Sequence, residues 1–565
     1  MPVEPFPARR TTAMTHTTVY AARKILTMNP RQPEATHVAV RDGRVLAVGD
    51  LERMKAWGAF DLDERFADRV LLPGFVEGHC HLKEGGMWVW PYLGWFERRG
   101  PDGRRWPGVR SMEAAVARLC EIDAEMSAAG RPADEPLIAW GFDPIYFGAE
   151  RMTVEHLDRA SRTRPIVVSH SNGHLMTVNS AMLRWAGITR DTDIVGVMKF
   201  ADGEPNGELQ EPAAMFPVQR KVGNAGLLAP MNDAGMQGFA RIATMNGVTT
   251  ATDLVNRLRD EDLEILERHA ADASYAVRIL PAFQAFHGTH GAADGARHVK
   301  ALAARNSDKL RFGLVKMMLD GSIQGFSARL RWPGYFNGAP NGIWVTDPAQ
   351  YEADFETYHR AGLLIHTHTN GDEASEAAVD AIGRVLERAP RPDHRHTLQH
   401  GQMIDAALFR RMAALGLSVN LFANHVWYWG DQHAEVTMGP DRAERLDGCR
   451  SALDAGVPLA IHSDAPVTPL GPLFTAWCAV NRVTPSGRVL GAAERITVSE
   501  ALRAITLGAA ATLKLDHEIG SVEIGKRADF SVLDDDPLAV DPMTLKDLRV
   551  RGTVLSGRVH DAPEL

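Results

Sequence analysis

The chain has 565 residues, 45% hydrophobic and 24% charged, a balance that excludes disordered and fibrous proteins and leaves enough chain for a large core. Its 62 basic and 71 acidic residues give a net charge of -9, which offers no basic footprint for nucleic acid. Cys80, Cys120, Cys449 and Cys478 lack CxxC spacing, which argues against a disulfide framework or thiolate cluster and for a reducing compartment.

Residues 1–16 read as a loose tail. Arg9-Arg10 is followed by a polar run rather than an apolar segment, so no export signal is expected. No stretch approaches the roughly 18 apolar residues of a membrane helix. The richest, Met87 to Phe96, is cut by Pro91 and Gly94. These features predict a cytoplasmic protein without nucleic-acid or membrane partners. Thr18 to Leu26 and Thr36 to Val48 alternate apolar and polar residues, with Arg41-Asp42-Gly43-Arg44 as a hairpin turn. Short glycine-split strands recur in Gly520 to Leu533 and Leu548 to Val559. The two ends together predict a composite β-sandwich from residues 17–72 and 515–565.

Val70-Leu71-Leu72 leads into Pro73-Gly74-Phe75-Val76-Glu77-Gly78-His79-Cys80-His81, a buried strand ending in two histidines. Seven further strand-like runs alternate with helical patterns: Gly247 to Leu254, Tyr275 to Phe286, Phe312 to Leu319, Gly362 to Thr369, Arg395 to His400, Leu417 to Ala423 and Val457 to Asp464. With the strand before His79 they make the eight βα units of a (β/α)8 TIM-type barrel over residues 73–514. The stretch from about 82 to 245 is too long for one βα link and predicts a large insertion after the first strand.

A barrel presents its chemistry at the C-terminal ends of its strands. There the sequence places His79 and His81, Lys316 and Asp320, His366 and His368, His400, His425, and His462 with Asp464. Alternate residues of a strand share a face, so two imidazoles in His-x-His spacing can grip one divalent ion. A lysine in a barrel mouth is costly unless paired or neutralised. It either pairs with Asp320 or Asp464 or reacts with carbon dioxide to become a bridging carbamate. Of each paired set, the residue nearer the strand end lies closer to the mouth. This favours His368 and Asp464 as ligands and leaves His366 and His462 to hold a ligand from behind.

Taken together, the Pro-Gly-Phe-Val-Glu-Gly-His79-Cys-His81 stretch, Val315-Lys316 with Asp320-Gly321-Ser322, His368-Thr-Asn-Gly-Asp372-Glu-Ala374, His400, Ser463-Asp464-Ala465-Pro466 and Gly525-Lys526-Arg527-Ala528-Asp529 resemble the metal-dependent amidohydrolase superfamily. More narrowly they resemble amidohydrolase family 3, the branch with N-substituted formamide deformylases. The resemblance covers nearly the whole chain from about Thr18. It implies a centre of two divalent ions, zinc being favoured: His79, His81 and Asp464 on one, His368 and His400 on the other, with carbamylated Lys316 between them. His366 and His462 depart from the family's usual residues.

Such a centre lowers the pKa of a water, making hydroxide available, and polarises a carbonyl. Asp464 is then placed to pass the water's proton to a leaving nitrogen. The expected reaction is hydrolysis of an amide-type C–N bond, N-acyl or N-formyl, in a small apolar or aromatic substrate. Met87 to Phe96, including Trp88, and Trp427-Tyr428-Trp429 follow barrel strands. They either wall the pocket or seal the insertion or a homo-oligomer interface. His174 is a candidate to orient substrate from the insertion, and His425 either touches substrate or caps a loop. A metal-dependent lyase or decarboxylase, a C–C bond hydrolase, and a non-catalytic regulatory protein are the alternatives on the same scaffold.

Overall fold

A computed structural model describes residues 16–563 except 149, 223–230 and 287–290. Its centre is an eight-stranded parallel sheet: β1 (Phe75–Glu77), β2 (Val248–Asn256), β3 (Arg278–Gln284), β4 (Leu314–Met318), β5 (Leu364–Thr369), β6 (Thr397–His400), β7 (Ser418–Leu421) and β8 (Leu459–Ile461). Each strand pairs with the next in sequence. Between β8 and β1 the ring is bridged just past the strand ends. There His81 N donates to Ala465 O (2.8 Å) and Asp464 N to His79 O (3.1 Å). This is a TIM-like barrel, as the alternation of runs predicts.

The strands form where β-branched and apolar residues run continuously, as in Val248-Thr249-Thr250-Ala251-Thr252, because a barrel strand is covered on both faces. The crossover helices bury one stripe. In Asp372–Arg388, Ala374, Ala378, Ala381, Ile382 and Val385 recur at helical spacing and face the core. Gly74, just before β1, admits no side chain, since a Cβ there would lie 2.1 Å from Thr249 Oγ1.

Strands from both chain ends form one seven-stranded sheet, in the order Arg558–Asp561, Val550–Leu555, Phe530–Leu533, Asp61–Pro73, Thr17–Leu26, Glu34–Arg41, Arg44–Gly49. The hairpin turn falls where the sequence places it. Asp42 (φ 52°) and Gly43 (φ 73°) both take the left-handed conformation that a tight two-residue hairpin turn needs. Tyr20, Val38 and Val40 from the first half share a core cluster with Phe530, Val532 and Val554 from the second.

Between β1 and β2 the chain builds a five-stranded sheet, ordered Val197–Lys199, Pro205–Gln210, Leu175–Val178, Ile166–His170, Leu137–Phe142, with its own apolar clusters. Arg98 pins this segment to the barrel. It donates to Glu84 Oε1 (2.9 Å) after β1 and to Pro466 O (2.5 Å) after β8, inside a cage of Trp88, Tyr92 and Trp140.

Candidate metal centre

His79 and His81 just past β1, Lys316 in β4, His368 in β5, His400 at the end of β6 and Asp464 in the turn after β8 all line one cavity of about 350 Å³. All six are buried. His400 (φ 68°) and Asp464 (φ 50°) hold left-handed backbone conformations, a strain that side chains other than glycine adopt where the surrounding structure imposes it, often at functional sites. One expectation is corrected here. β8 stops at Ile461, so the relation of His462 to Asp464 is set by a turn and not by strand alternation.

Asp464 is the hub. Its Oδ1 lies 3.3 Å from His79 Nε2 and 3.2 Å from His81 Nε2, and its Oδ2 lies 3.9 Å from His400 Nδ1. The ligand atoms of His79, His81 and Asp464 fall within 4.8 Å of one another, and so do those of His79, His400 and His462. His462 stacks on His79, with centroids 4.5 Å apart, and its Nε2 lies 3.3 Å from His400 Nδ1. The fold therefore brings His462 into ligand range as well as His400.

Backbone carbonyls, which can only accept hydrogen bonds, fix which imidazole nitrogens are bare. Thr512 O is 3.0 Å from His366 Nε2, which must carry the proton, so His366 Nδ1 is an acceptor. Gln399 Nε2 donates to it at 2.8 Å, and Gln399 Oε1 then accepts from His79 Nδ1 at 2.8 Å. His79 Nε2 is left with its lone pair toward Asp464. Both nitrogens of His366 are used up in this chain, so it supports a ligand instead of being one. By the same logic, Gly321 O accepts from His368 Nε2 (3.1 Å) and leaves His368 Nδ1 bare. Asn420 Nδ2 adds a second donor to Gln399 Oε1 at 3.0 Å.

Burial holds the imidazoles neutral. It pushes His81 down to about 4 and His79, His368, His400 and His462 well below the usual value. Burial also lowers Lys316 to about 7, with Asp464 opposing the shift. Lys316 Nζ has no hydrogen-bond partner, and the pairing with Asp320 or Asp464 weighed from the sequence is not formed. Neutral nitrogens aimed at a shared point repel until a cation takes their lone pairs. An imidazole and carboxylate donor set suits zinc-class divalent ions. The residues present therefore fit a metal.

The remaining sequence candidates divide. His174 lines the cavity, its ring 5.2 Å from that of His368 and its Nδ1 2.9 Å from Glu211 Oε2. Burial lowers its pKa, but Glu211 beside it more than offsets this and the net shift is upward. Asp320 is fully buried and accepts from the backbone N–H groups of Arg329, Asn370 and Gly371 at 2.9–3.0 Å, which organises the loops after β4 and β5. Burial pushes it up to about 7 against those three donors. Trp88, Trp427 and His425 do not line the cavity. Trp88 packs edge-on against Trp140 (5.1 Å) and Trp427 against Trp477 (5.3 Å), so both aromatic runs seal helices and the insertion and do not wall the pocket. His425 packs on Phe422 (4.2 Å), with its Nδ1 3.5 Å from Asp447 Oδ2.

The cavity aromatics are instead Phe216 and Phe286, joined by Val255, Met318 and Val467 and by the polar Lys83, Arg257 and Gln284. Sequence reasoning missed these, and it missed Gln399 and Asn420. An amide at an interior barrel-strand position was the available signal for the last two.

An eight-stranded barrel with a histidine, lysine and aspartate cluster at its strand ends defines a metal-dependent hydrolase acting on C–N bonds other than peptide bonds. The chain belongs to the amidohydrolase family, whose profile matches residues 67–560. It is 27% identical over 559 residues to YtcJ of Bacillus subtilis, covering 95% of this chain and 97% of that one. It is 24% identical over 562 residues to the N-substituted formamide deformylase of Arthrobacter pascens, covering 94% and 96%. A metal-dependent hydrolase from Pyrococcus horikoshii shares the fold with a TM-score of 0.67 and 19% identity, over 93% of this chain and 99% of that one.

Proposed function

We propose that the protein hydrolyses an N-formyl or N-acyl C–N bond in a small, largely apolar substrate, with two divalent ions held in the barrel mouth. The observation that carries this reading is the convergence of four neutral imidazoles, Asp464 and an unpartnered buried lysine on one cavity. His79, His81 and Asp464 would hold one ion, and His368 and His400 the other, with His462 in reach of the second. Lys316, as a carbamate, would help hold both ions: burial lowers its pKa and so favours the neutral amine, the form that adds to carbon dioxide. The ions, zinc in this reading, supply Lewis acidity that brings a water's pKa toward neutrality and polarises the scissile carbonyl.

The chain's own residues do the rest. Asp464 Oδ2 takes the proton of the attacking water and returns it to the nitrogen as the C–N bond breaks. His174, steadied by Glu211, faces the substrate from the insertion. Phe216, Phe286 and Met318 give the cavity its apolar lining.

The composite terminal domain, residues 17–72 with 515–565, reads as a sandwich folded about the Phe530 cluster. The reading extends to a cytoplasmic homodimer or larger homo-oligomer. The exposed Trp332 (94%) and Phe336 (58%) offer a surface for self-association. No helix among the described residues is long and apolar enough to cross a membrane.

The test is turnover of a panel of N-formyl and N-acyl amines by the metal-loaded protein, with products identified. Release of free amine supports the reading. Decarboxylation or C–C cleavage without amine release overturns it.

A further inference from the structure

β1 and β8 close the barrel without a hydrogen-bonded ladder. They stand at the two ends of the strand order, and their only bridge among the described residues, Cys80 with Ala465, lies past both strands. A side chain spans the gap instead. Glu77, the last residue of β1, is buried, and both of its carboxylate oxygens are taken by one residue of the turn after β8. Ser463 N donates to Oε1 (3.1 Å) and Ser463 Oγ to Oε2 (3.0 Å). The backbone N–H of His79 donates to the same carboxylate.

A carboxylate is costly to bury, and no cationic side chain pairs with Glu77 among the described residues. An apolar side chain would pack there without that cost, so what the carboxylate contributes is position. Ser463 is fixed from three sides: Glu77 takes its N–H and hydroxyl, and its carbonyl accepts from Thr468 Oγ1 (2.5 Å), which in turn accepts from Asn424 Nδ2 (2.8 Å). The next residue is Asp464, held in its left-handed conformation (φ 50°) with its N–H donating to His79 O (3.1 Å). Glu77 therefore grips the backbone of His79 on one side and of Ser463-Asp464 on the other. Those are the residues whose side chains meet at 3.3 Å in the centre.

We propose that Glu77 is a positioning residue of the centre. It does not line the cavity, and acts through Ser463 and His79 to set where the Asp464 carboxylate stands against His79 Nε2. This rests on the reading that His79 and Asp464 share one ion. Hydrogen-bond geometry is what the side chain supplies, so an amide can replace it: in Glu77→Gln the oxygen still accepts from Ser463 N, and the amide nitrogen donates to Ser463 Oγ.

The experiment loads the protein with cobalt(II), whose visible absorption reports ligand geometry, and adds chelator competition for affinity and kcat and KM on an N-formyl amine. Glu77→Ala should shift the cobalt bands and lower metal affinity about 10- to 100-fold, with kcat falling and KM staying within about threefold. Glu77→Gln should stay within about threefold of the unmodified protein in affinity and kcat. Ser463→Ala, which removes one of the contacts, should fall between the two. Unmoved cobalt bands and affinity in Glu77→Ala overturn the proposal even where urea unfolding shows lost stability, since Glu77 is then a structural residue only. Glu77→Gln as damaging as Glu77→Ala also overturns it, because charge and not hydrogen-bond geometry is then at work. Should Glu77→Ala not fold, Ser463→Ala decides: bands and affinity equal to those of the unmodified protein overturn the proposal. Failure to release amine from N-formyl amines counts against the hydrolase reading and leaves the cobalt bands and affinity to judge this one.

Discussion

Replacing Gln399 with leucine tests the hydrogen-bond chain behind His79. The side chain serves three buried partners: it accepts from His79 Nδ1 (2.8 Å) and Asn420 Nδ2 (3.0 Å) and donates to His366 Nδ1 (2.8 Å). Leucine fills similar volume but satisfies none of them. Each orphaned buried group costs about 1 kcal/mol or more, so Gln399→Leu should lose about 3 kcal/mol or more of stability. His79 is also freed to protonate either nitrogen and to rotate. Removing a group that orients a ligand typically lowers metal affinity about 10- to 100-fold. Chelator competition gives the affinity and urea unfolding of the metal-free protein gives the stability. Gln399→Glu keeps the acceptor for His79 and removes the donor to His366, so it should keep metal affinity closer to that of the unmodified protein. Stability falling in Gln399→Leu with metal affinity unchanged would refute the tautomer argument, because Gln399 would then be only a packing residue.

Three further outcomes follow from the same geometry. Asp464→Asn keeps an oxygen near His79 and His81 but cannot accept a proton, so kcat should fall about 100- to 10,000-fold with KM little changed; an unchanged kcat assigns the proton to another group. Lys316→Ala should lose metal and activity together, with formate or acetate restoring part of both by standing in for the carbamate; full metal retention in the variant contradicts a bridging role. In the metal-free protein His81 (about 4), His366 (about 3) and His425 (about 3) are all lowered by burial, so the unfolded chain binds more protons below its own histidine pKa near 6.5. Their contribution to stability is fully present above about pH 6.5 and is lost as pH falls toward 4, at about 1.4 kcal/mol per pH unit per histidine. Urea unfolding at pH 7, 6 and 5 checks this, and a flat profile contradicts it.

Much of the centre was legible because a barrel obliges its chemistry to strand ends, and His79, His81, Lys316, His368, His400 and Asp464 all stand there in the sequence. Strand alternation favoured His368 over His366, and in the structure Thr512 O and Gln399 engage both nitrogens of His366. It served less well at His462, where the chain has already left the strand and turned. The aromatic runs left two readings open in the sequence, a pocket wall or a packing seal. Trp88 and Trp427 follow barrel strands in the sequence, but their rings pack into clusters with Trp140 and Trp477. Phe216 and Phe286 reach the cavity from a helix of the insertion and from the end of β3. Neither position carries a local pattern that distinguishes it from an ordinary core phenylalanine. The partnership of His174 with Glu211 spans 37 positions and a left-handed turn at Glu211 (φ 64°), which no spacing rule anticipates.

The central claim is that these side chains hold a pair of ions, and the metal content of the purified protein tests it most directly. Elemental analysis after growth with ample zinc should find close to two divalent ions per chain, falling together with amine release on chelation and returning with it when zinc is restored. One ion per chain with full activity, or none, would contradict the account.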